Sequence, residues 1–121
     1  MSLILIVEDN EKNMKLVRDV LQAKGYATAE AGSAEDGLKL AREKKPDLIL
    51  MDIQLPGMNG IDALKHLRTE DATRGIPVIA VSASVMQQDK NLVTDAGFDA
   101  FVEKPINLKE FLAAVQKALA K

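Results

Sequence analysis

Three apolar runs and one short mixed stretch of this chain end on side chains able to do chemistry. Leu3–Val7 runs into Glu8-Asp9, Leu48-Ile49-Leu50-Met51 into Asp52, Pro77–Val81 into Ser82, and Phe98–Glu103 into Lys104. If these runs are parallel strands, all five side chains emerge at one edge of the sheet. Ligands of open α/β sheets sit there, in the crevice outside the carboxyl ends of the strands. Three carboxylates brought within a few ångströms repel one another and invite a cation. Oxygen ligands from two carboxylates and a loop carbonyl suit magnesium, which takes few protein ligands and keeps several waters. An acidic nucleophile at Asp52, a divalent metal, the ammonium of Lys104 and the hydroxyl of Ser82 are together the parts needed for in-line phosphoryl transfer to an aspartate.

Each residue taken alone also has a plainer reading. Asp52 fits a turn or capping aspartate, Ser82 a turn serine, and Lys104 a solvated lysine. Glu8-Asp9-Asn10 fits an N-cap for the helix that follows, a role compatible with a site. Separate readings of this kind explain the joint placement at one sheet edge poorly. His66, the only histidine, is expected on the exposed side of a helix and is not needed for the chemistry.

The elements that must position these groups follow from the apolar pattern. Leu3–Val7 is a β-rich run. From Glu11 to Lys24, Met14, Leu16, Val17, Val20 and Leu21 recur at helical spacing, and Gly25 supplies a stop. Ala27–Ala31 is a weak strand, suited to a sheet edge. Ser33-Ala34-Glu35-Asp36 resembles a capping box for a helix running to about Glu43, with Leu38 and Ala41 inward. Leu48–Asp52, after Pro46-Asp47, reads as a strand covered on both faces. Asn59-Gly60 opens a third helix with Ile61, Leu64 and Leu67 on its apolar side. Pro77–Val81 is a strand whose proline is tolerated at its start. Ser84–Ala96 has only a thin apolar stripe and ends at Gly97. Phe98–Glu103 holds a short fifth strand, and Asn107 caps a last helix with Leu108, Phe111, Leu112, Val115 and Leu119 on one stripe. The alternation predicts an α/β fold: a doubly wound, five-stranded parallel sheet with five helices and right-handed crossovers. The first strand then lies inside the sheet and the second at its edge.

Composition narrows the function. A chain of 121 residues suggests one domain, residues 1–121, large enough for a core without staples. Without cysteine there is neither a disulfide nor a thiolate metal site. A net charge of −2 with interspersed signs, and only three Phe, one Tyr and no Trp, give no case for nucleic acid. No basic segment precedes the first apolar run, and no run nears the roughly 20 residues that span a bilayer, so neither a signal peptide nor membrane insertion is expected.

Three stretches carry a resemblance to a known family: Ile4-Leu5-Ile6-Val7-Glu8-Asp9-Asn10; Asp47–Asp52 continuing to Leu55-Pro56-Gly57-Met58-Asn59-Gly60; and Lys104-Pro105. They are similar to receiver domains of bacterial two-component response regulators, and the spacings from Asp52 to Ser82 and on to Lys104 agree. The resemblance implies a flavodoxin-like receiver fold in a cytoplasmic phosphoprotein. Asp52 would accept a phosphoryl group from a phosphohistidine. Asp9, Asp52 and the carbonyl of Gln54 would bind Mg2+, with Glu8 acting mainly through water. Lys104, before a cis Pro105, would pair with the phosphoryl oxygens. Ser82 and Phe101 would move together on phosphorylation, although serine and phenylalanine stand where threonine and tyrosine are more usual; Phe101 also fits a plain core ring.

The stretch Val7–Leu16 resembles single-domain receivers of the cell-cycle (DivK) type and receivers of hybrid histidine kinases. On that basis no effector domain is expected and output is protein binding. Asn13, Leu16 and Ile106 are the candidates for docking a histidine kinase or histidine phosphotransfer protein. The Ser84–Ala96 helix and Phe101 are the candidates for a downstream target protein. No turnover beyond self-phosphorylation and slow dephosphorylation is expected. A receiver excised from a hybrid kinase and a phosphorylation-independent interaction module of the same fold are the alternatives. An aspartate-nucleophile phosphatase would carry a second acid two positions after the nucleophile, where this chain has Gln54.

Overall fold

Leu48–Asp52 is buried at all five positions and forms the middle strand of the sheet. The computed structural model describes residues 2–53, 58, 60–82, 97–103 and 107–120. Their elements are β1 (Leu3–Val7), α1 (Glu11–Ala23), β2 (Ala27–Ala31), α2 (Ala34–Lys44), β3 (Leu48–Asp52), α3 (Gly60–Thr69), β4 (Val78–Ser82), β5 (Ala100–Glu103) and α4 (Leu108–Leu119). The sheet order is β2-β1-β3-β4-β5, and every neighbouring pair is parallel. This is the expected doubly wound five-stranded sheet, with β1 inside it and β2 at an edge. Four helices stand among the described residues; the expected helix over Ser84–Ala96 lies outside them.

Period-two alternation sends the strands' side chains to two cores. Leu5, Val7, Ile49, Met51 and Val78 pack with Leu38 and Ala41 of α2 and Ala63, Leu64 and Leu67 of α3. Ile4, Ile6, Leu48, Leu50, Ile79 and Val81 pack with Val17 and Leu21 of α1 and Phe111 and Val115 of α4. A strand buried on both faces must be apolar throughout, which explains the runs in β1 and β3.

Three residues of the helices' apolar stripes lie outside the core, among them the docking candidate Leu16. Leu16 is 41% exposed, because a residue is turned by about 100° from its neighbour around the helix and Val17 faces the sheet. Leu108 is 44% exposed: all of residues 107–110 are exposed, and burial in α4 begins at Phe111. On α3 the buried stripe is Gly60, Ala63, Leu64 and Leu67, with Ile61 half-buried beside it. His66 is exposed, as expected.

Side chains close the helix ends and tie the layers. Asn10 Oδ1 accepts from the backbone N–H groups of Lys12 and Asn13 at 3.0 and 3.1 Å. Ser33 Oγ accepts from Asp36 N–H at 3.2 Å, and Asn107 Oδ1 from Glu110 N–H at 3.1 Å. At the end of the sheet opposite Asp52, Arg68 donates to the carbonyls of Arg74 (3.0 Å) and Ile76 (2.7 Å) and to Asp99 Oδ2 (3.1 Å). That single guanidinium joins the end of α3 to the starts of β4 and β5.

Candidate functional site

The order of the strands places β1 beside β3 although α1, β2 and α2 separate them in sequence. The winding direction reverses between these two strands, and the crevice that forms at such a switch point receives Glu8, Asp9 and Asp52. Glu8 N–H donates to Ala31 O at 3.0 Å, carrying the β1–β2 pairing one residue past Val7. Capping of α1 falls to Asn10. The capping reading of Glu8-Asp9-Asn10 therefore holds on Asn10, which leaves Glu8 and Asp9 beside Asp52. Asp52 is the last residue of β3, paired with Val81 of β4, and Ile53 N–H donates to Val81 O at 3.1 Å.

One carboxylate oxygen from each of Glu8, Asp9 and Asp52 lies within 4.8 Å of the other two. Glu8 and Asp52 are only 7% and 4% exposed, whereas Asp9 faces solvent. Beneath the two buried acids lies a small cavity walled by Ile6, Val7, Val17, Leu50 and Val81. Such a setting weakens dielectric screening and makes adjacent negative charges costly. On the outer side, Glu8 and Asp9 open onto a cleft of about 480 Å³ against α1. Arg18 lines it, held to Glu30 at 3.0 Å; that hydrogen bond raises the guanidinium above its ordinary pKa.

The donor set suits a hard divalent cation. All three groups are carboxylates, and the exposed side leaves room for bound water. Glu8, Asp9 and Asp52 are the residues that would hold such a cation, directly or through water.

The remaining expected residues are distributed as follows. Ser82 ends β4, the strand next to Asp52, and pairs with Glu103. Phe101 lies opposite Ala80 on β5 and is half-buried, so it is not a fully buried core ring. Asn13 is half-buried and Leu16 exposed on α1. Gln54, Lys104, Pro105, Ile106 and the side chain of Ser82 lie outside the described residues. In the sequence Asn59-Gly60 reads as a helix start and as part of the stretch that carries the family resemblance. It hides a contact: Gly60 N–H donates to Ile53 O at 3.0 Å, bringing the first residue of α3 onto the exit of β3.

Residues 4–116 match the response regulator receiver domain family. The chain belongs to that family. This receiver domain is 46% identical to the polar-differentiation response regulator DivK of Brucella anthropi over 116 residues, covering 96% of this chain and 94% of the relative. DivK of Brucella ovis matches at the same identity and coverage. Among solved structures, the receiver domain of sensor histidine kinase PA1611 from Pseudomonas aeruginosa superposes with a TM-score of 0.92 at 28% identity. The match covers 99% of this chain and 98% of that one, and that protein carries a magnesium ion in its active-site cleft. A CheY-like receiver domain protein from Methanospirillum hungatei gives a TM-score of 0.91 at 28% identity, covering 99% and 94% of the two chains. The receiver domain is thus a phosphorylation-signalling module with the flavodoxin-like fold expected from its strand pattern.

Proposed function

We propose that this receiver accepts a phosphoryl group on Asp52 from a histidine kinase or a histidine phosphotransfer protein, and signals by phosphorylation-dependent binding of a downstream target. The convergence of Glu8, Asp9 and Asp52 within 4.8 Å carries the reading, because it supplies a nucleophile and a cation site at one strand edge. In the transfer, the N–P bond of the phosphohistidine breaks and an Asp52 Oδ–P bond forms. The departing imidazole keeps the electron pair and takes up a proton. Asp9, Asp52 and the Gln54 carbonyl would hold Mg2+, with Glu8 acting through water. When bound, the metal neutralises charge on the phosphoryl oxygens and on the crowded acids.

Asp52 is suited to the nucleophile's role by its place on β3: a strand packed on both faces holds its last carboxylate in a fixed direction. Lys104 pairs with the phosphoryl oxygens after transfer, and the Ser82 hydroxyl donates to one of them. Phe101, a half-buried ring on β5, follows Ser82. Asn13, Leu16 and Ile106 form the docking surface for the donor. We place the protein in the cytoplasm, where its donors would be found; among the described residues no helix is long and apolar enough to cross a membrane.

Incubation with acetyl phosphate and MgCl2, followed by intact-mass measurement, tests the reading. One base-labile phosphoryl adduct should appear on the wild type, and none on Asp52→Asn or in EDTA. An adduct that survives Asp52→Asn would refute the assignment.

A further inference from the structure

We infer that Gly60 is a positioning residue for Asp52, because only a residue without a side chain lets the first turn of α3 sit against the exit of β3. The inference rests on the phosphoacceptor reading above and adds to it a residue that touches neither phosphoryl group nor metal. A Cβ at position 60 would lie 2.7 Å from the carbonyl oxygen of Asp52, 2.8 Å from Ile53 Cα and 3.1 Å from Met51 Cγ. The first two are backbone atoms and cannot rotate aside.

Conformation does not explain the glycine. Gly25 and Gly97 adopt positive φ, of 91° and 104°, while Gly60 does not. Glycine is also less favourable than alanine within a helix. What remains is space. The same residue donates its N–H to Ile53 O at 3.0 Å, so α3 is joined to the β3 exit by one hydrogen bond and by the absence of one methyl group. Gly37 of α2 meets its neighbour differently, since a Cβ there would strike only the side chain of Val7, at 2.7 Å.

Adding the methyl group at Gly60 must widen its gap to the Asp52 carbonyl from 2.7 Å towards the 3.4 Å of ordinary contact, and the part of that shift taken up by the β3 exit moves Asp52. The Asp52 carboxylate hangs from the same Cα. The full widening exceeds the roughly 0.5 Å within which a binding constellation tolerates error. Gly60 therefore sets where the Asp52 oxygen stands relative to Glu8 and Asp9.

Calorimetric titration with MgCl2 and labelling with acetyl phosphate, on wild type, Gly60→Ala and Leu67→Ala, test the inference. Leu67 is buried at the other end of α3, so its truncation loosens the same helix away from Asp52. Gly60→Ala should weaken Mg2+ binding by about tenfold, as loss of support behind a metal ligand typically does, and slow labelling. Leu67→Ala should stay within about twofold of wild type. Wild-type Mg2+ affinity in Gly60→Ala, or equal loss in both variants, would overturn the positioning role while leaving the phosphoacceptor reading intact. A wild type that neither binds Mg2+ nor takes label would overturn both. Should Gly60→Ala fail to fold, amide exchange of the wild type decides. Saturating MgCl2 should slow the Gly60 amide by about fivefold more than the Leu67 amide; equal slowing would refute the coupling.

Discussion

Removing the Asp52 charge should stabilise the metal-free protein and destabilise the metal-bound one relative to wild type. Two unit charges at the outer limit of 4.8 Å repel by about 0.9 kcal/mol at the dielectric of water and about 3.5 kcal/mol at an effective value of about 20. Asp52 faces two such neighbours, one buried with it and one exposed. It also has further interactions of its own, and weakening them offsets part of the relief. Asp52→Asn, which keeps the shape of the side chain, is therefore expected to gain about 1 kcal/mol in EDTA at low salt. For a chain of this length that is a rise of roughly 3–5 °C in Tm. Magnesium reverses the order. At 100 times its Kd a ligand stabilises the native state by about 2.7 kcal/mol, and the variant, lacking one carboxylate ligand, captures less of it. Thermal unfolding of both proteins in EDTA and in excess MgCl2 gives the four midpoints needed. A variant less stable than wild type in EDTA, or a difference that magnesium leaves unchanged, would refute a clustered acid site.

Four further outcomes are expected. Gly37→Ala should destabilise by about 1–2 kcal/mol despite the better helix propensity of alanine, because its methyl meets Val7 Cγ2 at 2.7 Å; adding Val7→Ala should recover part of the loss in a urea double-mutant cycle. Arg68→Met should cost about 1–3 kcal/mol in urea denaturation by removing the donor to the carbonyls of Arg74 and Ile76 and the cation beside Asp99, whose Oδ2 keeps the Val78 N–H at 2.8 Å. The Glu70 carboxylate accepts from Nε and Nη2 of Arg42 at 2.7 Å each, and that hydrogen bonding lowers its pKa below the ordinary 4.5. A lowered carboxylate pKa stabilises above the unfolded value and loses that contribution as pH falls through the folded one; any deficit of Glu70→Gln against wild type should thus be seen at pH 7 and vanish in acid. Finally, Leu16→Ala with Asn13→Ala should slow transfer from a cognate kinase while labelling by acetyl phosphate proceeds at the wild-type rate; equal rates with the kinase would remove α1 from the docking surface.

Local pattern settled a large part of this protein. The unbroken runs of β1 and β3 announced strands covered on both faces, and the mixed Ala27–Ala31 announced an edge; both follow from which faces water can reach. Asn10, Ser33 and Asn107 marked helix starts because their side chains suit open backbone N–H groups. Glu8, Asp9 and Asp52 could be read as strand-end acids from the residues alone. Their approach to within 4.8 Å could not, since it depends on β3 pairing with β1 rather than with β2.

Spacing likewise placed Leu16 and Leu108 on the apolar stripes of their helices, Leu16 being a docking candidate as well. The sheet reaches neither, because a helical repeat says which residues share a face and not where a neighbouring layer begins or ends. Gly60 reads as a helix start, and nothing in the sequence sets Arg68 apart. One proved to be the place where two backbones come within van der Waals limits, and the other the knot joining three elements. Composition and periodicity are properties of a segment and survive without its neighbours. Close contact between segments exists only after the crossovers have set the strand order, so it is decided by the tertiary structure.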